Sequence, residues 1–386
     1  MVKQIESNPL PNYIAMVSIL LMAVGTVFVF SAGVNLSQDF DLQRFYDFPS
    51  LRQILFFPLA VLIMYTVSCF DYRRFSLKSW FKSPTTYLLL LSLALLTLVL
   101  IPGIGVEKNY ARRWLEIPAG QIRISFQPSE LAKWSILIFL AAFCDKFSDI
   151  LKLFWKRFVP ICMIVGLVVL LIILEDFGTA ALIALLAFLI LLVAGVRWWH
   201  ILAPVPIGLL GFAVAIMSSQ SRRERIAAFL QPEKWADSAN YQANQSLIAL
   251  GSGGLWGKGL GMGICKYGHL PEDTTDFIFA IIGEEMGFIG TAAVILLFIA
   301  FAWLGILVVV RCKDRFGQLL AGTVVLAITI QAALNIGVVT VVLPTKGIPL
   351  PFVSAGGTSM LLSAFAVGIL INIARHSTKE SLEDRK

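Results

Sequence analysis

The chain has 386 residues, 58% of them hydrophobic and only 14% charged, with a mean hydropathy of +0.82. A soluble domain of this length carries nearly twice that charged fraction, so the composition points to a polytopic membrane protein. The net charge of +7 suits an anionic lipid surface, and no basic module with interleaved aromatics stands clear of the apolar segments, which argues against nucleic acid.

A bilayer is crossed by about 20 apolar residues in a helix. That ruler marks ten spans, roughly 12–34, 52–70, 86–105, 127–144, 158–174, 178–196, 199–218, 277–310, 317–343 and 356–374. The first sits too deep and runs too long for a cleaved signal peptide. The expected fold is therefore all-α, a single membrane domain over 1–386 with both termini on one side. Lys and Arg choose that side. With the termini cytoplasmic, 17 of the 31 basic residues fall on inner segments, including DYRRFSLKSWFK (71–82) and the run from Lys146 to Arg157. The five cysteines form no CxxC pair, so neither a disulfide framework nor a zinc site is indicated.

The outer segments hold the unusual chemistry. Lys108, Arg112, Arg113 and Arg123 lie in the second outer loop, Arg222, Arg223 and Arg225 open the long fourth one, and Lys346 sits in the fifth. They read either as solvated loop charge or as an anion site at the outer face. In QPSELAKW (127–134), Glu130 and Lys133 stand at i and i+3, close enough for an ion pair on one helix face. Glu175 and Asp176 occupy a tight turn, where a helix-end role competes with chemistry. The long fourth outer loop, 219–275, opens with SRRERIAAFL, whose Ile226, Phe229 and Leu230 share a helical face suited to the headgroup layer. Its glycine-rich GSGGLWGKGLGMG (251–263) lacks the spacing of a nucleotide-binding P-loop.

The stretch LPEDTTDFIFAIIGEE (270–285) then sets carboxylates at the edge of hydrocarbon. Asp276 can cap the span that follows it. If that span begins at Asp276, Glu284 lies about 12 Å deeper, where it must be protonated, paired or near water. The last outer loop, LPTKGIPLPFVSAGGTS (343–359), presents Lys346 and Ser354 on irregular backbone, which is tolerated at such depth only inside protein or beside a cavity.

Taken together, VFVFSAG (27–33), RRWLEI (112–117), QPSELAK (127–133), DFGTA (176–180), YQANQSLIALGSGGLWGKGLG (241–261), LPEDTTDFIFAIIGEEMG (270–287) and LPTKGIPLPFVSAGGTS resemble the SEDS family of bacterial membrane glycosyltransferases. The match runs in family order over nearly the whole chain. PTKG, FLQPEKW and IIGEE look more like the FtsW-type division members than the RodA-type elongation members. The sequence departs from the usual family pattern at Leu174-Glu175-Asp176, where a proline is missing, and at Tyr110 and Ala355.

The resemblance implies polymerisation of lipid II, an undecaprenyl-diphosphate-linked disaccharide peptide, at the exterior face of the bacterial cytoplasmic membrane. A class B penicillin-binding protein is the implied transpeptidase partner. Asp276 matches the family's essential acid. The chemistry is one inverting displacement, which calls for a carboxylate base on the acceptor hydroxyl and positive charge on the leaving diphosphate. Asp276 is the expected base. Arg112, Arg113, Gln127, Glu130, Lys133, Asp176, Lys346 and Ser354 are the expected substrate-binding set, with Glu130 orienting Lys133. No cofactor is required by this scheme, although a divalent cation (Mg or Mn) bridging Asp276 and diphosphate is a second role for the acid. A lipid II flippase or transporter and a non-catalytic scaffold are the competing functions.

Overall fold

In the computed structural model, described over residues 9–33, 49–80, 82–108, 111–119, 122–148, 153–235, 238, 240–267 and 270–383, helices occupy all ten apolar stretches. They are α1 Leu10–Gly33, α2 Pro49–Ser68, α3 Pro84–Val99, α4 Pro128–Lys146, α5 Val159–Ile173, α6 Phe177–Val193, the pair α7 Trp198–Leu202 and α8 Val205–Met217, and, after the long loop, α11 Ile278–Arg311, α12 Arg315–Val339 and α13 Gly357–Glu383. Two further helices, α9 Gln220–Leu230 and α10 Tyr241–Gly253, belong to that loop. Among the described residues six segments are long and apolar enough to cross a membrane, and α3, α5 and α6 are shorter apolar helices. Tyr110 lies outside the described residues.

Burial separates the roles of these helices. On α4 nearly every residue from Pro128 to Cys144 is buried, so it forms the centre of the bundle. A helix surrounded by protein can carry polar groups that lipid would reject, and α4 holds Glu130 and Lys133. At the other extreme, α8 fully buries none of its residues, touching the core through Phe212 and Ala215, as suits a helix at the lipid-facing edge of the bundle.

The second outer loop departs from the all-helical expectation. It folds as a three-stranded antiparallel sheet, β1 Gly105–Lys108, β2 Ala111–Ala119 and β3 Ile122–Phe126, with Leu115 opposite Phe126 and Glu116 opposite Ser125. The signal was the alternation in Ile122-Arg123-Ile124-Ser125-Phe126, a period of two rather than 3.6. β3 leads through Gln127 directly into α4, so the sheet is fastened to the central helix.

The eighth apolar stretch departs further. A straight helix of 34 residues would run about 51 Å, well beyond the roughly 30 Å of hydrocarbon. At Gly287 the backbone turns to φ 65°, ψ −160°. A Cβ on Gly283 would stand 3.3 Å from Thr291 Cγ2, although residues eight apart on a straight helix are separated by about 12 Å. The arm 278–286 thus folds back along the arm 288–311 in a V with its apex at Gly287. The broken ladder is repaired from the glycine-rich loop. Phe288 N–H donates to Gly254 O (2.8 Å) and Ile289 N–H to Leu255 O (3.3 Å), while Lys258 N–H reaches Glu284 O (3.0 Å) and Gly259 N–H reaches Glu285 O (2.9 Å). Glu284 therefore lies nearer the apex than Asp276, and the expected depth order is reversed, because the chain climbs before it descends.

Candidate active site

Asp276 stands at the foot of the short arm, in a turn closed by the N–H groups of Thr275 and Phe277 on Glu272 O (both 3.2 Å). Three successive carbonyls of this turn are each captured by a donor from elsewhere in the bundle. Ala355 N–H donates to Thr274 O (2.8 Å), Ser354 Oγ to Thr275 O (2.6 Å) and Asn335 Nδ2 to Asp276 O (2.7 Å). Asn335 uses its second amide hydrogen on Ile348 O (2.8 Å), so one buried side chain of α12 ties the turn to the segment 340–356. Across the carboxylate lies Gly347, where a Cβ would come within 2.8 Å of Asp276 Oδ2. Only glycine leaves that oxygen room.

The carboxylate looks into a cavity of about 1030 Å³. Five cations line it from separate parts of the fold: Arg52 of α2, Arg113 of β2, Arg222 and Arg225 of α9, and Lys346. Phe177 at the start of α6 sits between two of them, with Lys346 Nζ 4.6 Å and Arg222 Cζ 5.4 Å from its ring centroid. Arg222 also donates to the terminal carbonyls of α5, Ile173 O (3.0 Å) and Leu174 O (2.7 Å), so it holds the wall in place. Burial pushes the Asp276 carboxyl up to about 7, the charges of Glu272 and Asp176 push the same way, and Arg113 and Arg225 draw it back. Burial lowers Lys346 below the usual lysine range. A carboxylate poised near neutrality beside a cluster of cations can accept a proton from a hydroxyl while an anion gathers at the opposite wall.

The expected site residues divide between wall and frame. Asp276, Arg113, Gln127, Glu130, Asp176 and Lys346 line the cavity. Arg112 does not, because neighbours on a strand face opposite ways: its side chain turns to Glu107 (3.4 Å) while its N–H donates to Glu175 Oε2 (2.6 Å). Lys133 is fully buried on α4, bound to Glu130 Oε2 (2.8 Å) and Gln331 Oε1 (2.8 Å), and stops short of the cavity surface. The predicted i, i+3 pair is present, and Glu130 is the member that meets the cavity. Ser354 is a clamp on the Asp276 turn and accepts from Leu350 N–H (2.7 Å). Asp176 caps α6, its two oxygens taking Thr179 N–H (3.1 Å) and Thr179 Oγ (2.8 Å), with Gln127 Nε2 at 3.3 Å.

Sequence reasoning left Arg52, Arg222, Arg225, Glu272 and Asn335 out of the substrate-binding set. Arg222 and Arg225 carried a signal, since i, i+3 on a helix places both on one face. Ile226 lines the cavity, so the apolar face of α9 turns partly inward, whereas Leu230 at its end is exposed. Glu284 and Glu285 are structural. Glu284 takes Lys258 Nζ (2.6 Å) and the N–H groups of Ile264 (2.9 Å) and Cys265 (3.1 Å), and Glu285 takes Lys266 Nζ (2.9 Å) and Ser31 Oγ (2.8 Å).

Known proteins match this arrangement along its length. The stage V sporulation protein E of Bacillus subtilis (strain 168) is 38% identical over 368 residues, covering 94% of this chain and 96% of its own. A probable peptidoglycan glycosyltransferase FtsW of Geobacter metallireducens is 37% identical over 377 residues, covering 96% of each. Such relatives agree with the FtsW-type reading of the motifs. The solved rod shape determining protein RodA of Thermus thermophilus shares the fold at a TM-score of 0.65 and 24% identity, over 96% of this chain and 98% of that one. A chain from a peptidoglycan synthase complex that coordinates polymerization and crosslinking aligns at 0.71 and 24% identity, over 94% and 97%. The family model for FtsW, RodA and SpoVE, described as cell cycle protein, matches residues 11–379, and with relatives of this identity and coverage the chain belongs to that family.

Proposed function

We propose that the chain is a peptidoglycan glycosyltransferase that polymerises lipid II into β-1,4 glycan strands during cell division, with Asp276 as general base. The observation that carries this reading is the Asp276 carboxyl, raised by burial to about 7, at the wall of a cavity bearing five cations. The acceptor's 4-hydroxyl passes its proton to Asp276 as its oxygen bonds to the donor's anomeric carbon. The bond from that carbon to the diphosphate breaks on the opposite face, and the leaving oxygen keeps the electron pair. Arg113, Arg225 and Lys346 of the cavity lining are the cations that would stabilise that charge. No water need be activated, so a second catalytic carboxylate is unnecessary. Glu130 and Gln127 shape the wall, and Lys133 holds Glu130 from behind.

The excess of Lys and Arg on the opposite segments supports a cavity that opens at the exterior face of the cytoplasmic membrane. Among the described residues no group of three or more His, Cys, Asp or Glu is arranged to hold a metal ion. A divalent cation at Asp276 would therefore complete its shell with diphosphate oxygens. The negative charges of Glu272 and Asp176, felt at Asp276 without joining it as a ligand cluster, are what favour that second role.

The test is reconstitution with purified lipid II and a class B penicillin-binding protein, comparing the unaltered chain with Asp276→Asn. Glycan from the first and none from the second supports the enzyme, while equal synthesis removes Asp276 as base. Lipid translocation without polymer would instead establish a flippase. Loss of synthesis on chelation, restored by Mn²⁺ or Mg²⁺, would transfer Asp276 from base to metal ligand.

A further inference from the structure

The glycine-rich loop after α10 turns its large apolar side chains outward: Leu255, Trp256, Leu260, Met262 and Ile264 are 65%, 81%, 56%, 69% and 58% exposed. We infer that this loop is an interfacial anchor, seated at the boundary between headgroups and acyl chains in the leaflet on the cavity side. Its occupant is lipid. Four observations place it there.

The first is level. The arm of α11 from Phe288 to Arg311 has 24 residues and rises about 36 Å, slightly more than the hydrocarbon thickness of roughly 30 Å. With Arg311 at one boundary, the Gly287 apex lies at the other. Ser31, two residues from the end of α1, meets Glu285 beside that apex and marks the same level. The loop is bonded to residues 284–289, so it shares that level.

The second is continuity. Phe288, Ile289, Leu296, Ile299 and Trp303 are exposed along one stripe of the long arm, and the loop extends this stripe at its top. The third is that much of the loop's backbone is tied down, as contact with acyl chains favours: the N–H groups of Gly257, Lys258, Gly259, Met262, Ile264, Cys265 and Tyr267 find acceptors within the protein. The fourth is charge. Lys258 and Lys266, the lysines of this segment, are neutralised by Glu284 and Glu285, which removes the groups that would hold the loop out in water. An exposed Trp with aliphatic neighbours is the side-chain mix of a membrane interface.

The consequence for the proposed reaction rests on the reading of Asp276 above. The short arm carrying Asp276 hangs from the same apex that the loop grips. Seating the loop in lipid therefore sets the depth of the carboxylate relative to lipid-linked substrates.

The experiment uses the full chain in phospholipid nanodiscs, with Cys69→Ser and Cys162→Ala, and a bimane label on Trp256→Cys or Leu260→Cys. Glu233→Cys, in the exposed part of the long loop, is the aqueous control. Most of the emission at 256 and 260 should be lost with lipids carrying a nitroxide near the top of the acyl chain. Little should be lost to iodide, with the reverse at 233. As a label-free check, brominated lipid should quench the emission of the unaltered chain more than that of Trp256→Phe. Iodide quenching at 256 equal to that at 233 overturns the inference. So does shielding that develops only when a transpeptidase partner is added, which would make the patch a protein interface. Neither readout involves turnover, so the anchor and the glycosyltransferase reading stand or fall separately.

Discussion

Asp276 functions as a base only when deprotonated, and its carboxyl is raised to about 7. The rate of glycan synthesis should therefore climb with pH through about 7 and fall roughly tenfold per unit on the acid side. Glu272 is the largest charge raising that group, so Glu272→Gln should move the midpoint of the profile downward and preserve activity at lower pH. Arg225→Ala removes an opposing cation and should move it upward. Unmoved midpoints in both variants would show that Asp276 does not govern the profile. Asp276→Asn keeps the shape and loses the proton acceptor, for an expected loss of about 10²- to 10⁴-fold. Asn335→Leu leaves the carbonyls of Asp276 and Ile348 without their donor inside the protein. It should destabilise the chain by about 1–3 kcal/mol, read as a lowered melting temperature in detergent.

At the scale of elements, the folded-back α11 organises the site. Its apex depends on Gly287, whose φ and ψ lie in a region essentially open to glycine alone, costing another residue about 1–3 kcal/mol, and whose missing Cβ admits Gly257 N and Leu255 O. The glycine-rich loop is held to this apex by two buried acids with lysine partners. Lys266→Met strands Glu285, which is fully buried, and should cost about 3–5 kcal/mol. Adding Glu285→Leu removes the stranded charge and should restore most of the loss. Thermal unfolding of the single and double variants checks this, and a double variant no more stable than the single would show that packing rather than charge holds the loop.

At the scale of the whole molecule, the cavity is built where chain segments distant in sequence converge, among them α2, the sheet, the start of α4, the α5–α6 turn, α9, the Asp276 turn and the segment 340–356. No one of them supplies both the acid and the cations. Arg113 reaches this wall because β2 is fastened to the α5–α6 turn, with Arg113 Nε donating to Glu175 O (2.6 Å). Glu175→Ala should remove the acceptor for Arg112 N–H and loosen the sheet without touching Asp276. The expected result in the lipid II assay is weaker donor binding, a raised KM, with the pH midpoint near 7 retained. A fall in kcat at unchanged KM would assign Glu175 a direct part in the reaction.

The amino-acid sequence by itself determined the membrane class, the helical stretches and the Glu130–Lys133 pair, each written locally in runs of apolar residues or in helical spacing. The prominence of Asp276 came from the family resemblance of its motif, since its window alone reads equally as a helix cap. Only the tertiary structure decided that Arg113 faces the cavity and Arg112 does not, since strand alternation governs a segment expected to be loop. It alone decided that Lys133 stays behind Glu130, that Asn335 and Ser354 hold the Asp276 turn, and that the acids of α11 pair with Lys258 and Lys266. Those outcomes depend on partners up to 254 residues apart in the chain, as between Ser31 and Glu285, and on a reversal at one glycine whose apolar flanks read as one continuous span. Local pattern carries propensity and burial; which distant donor meets which carbonyl is decided only when the helices pack.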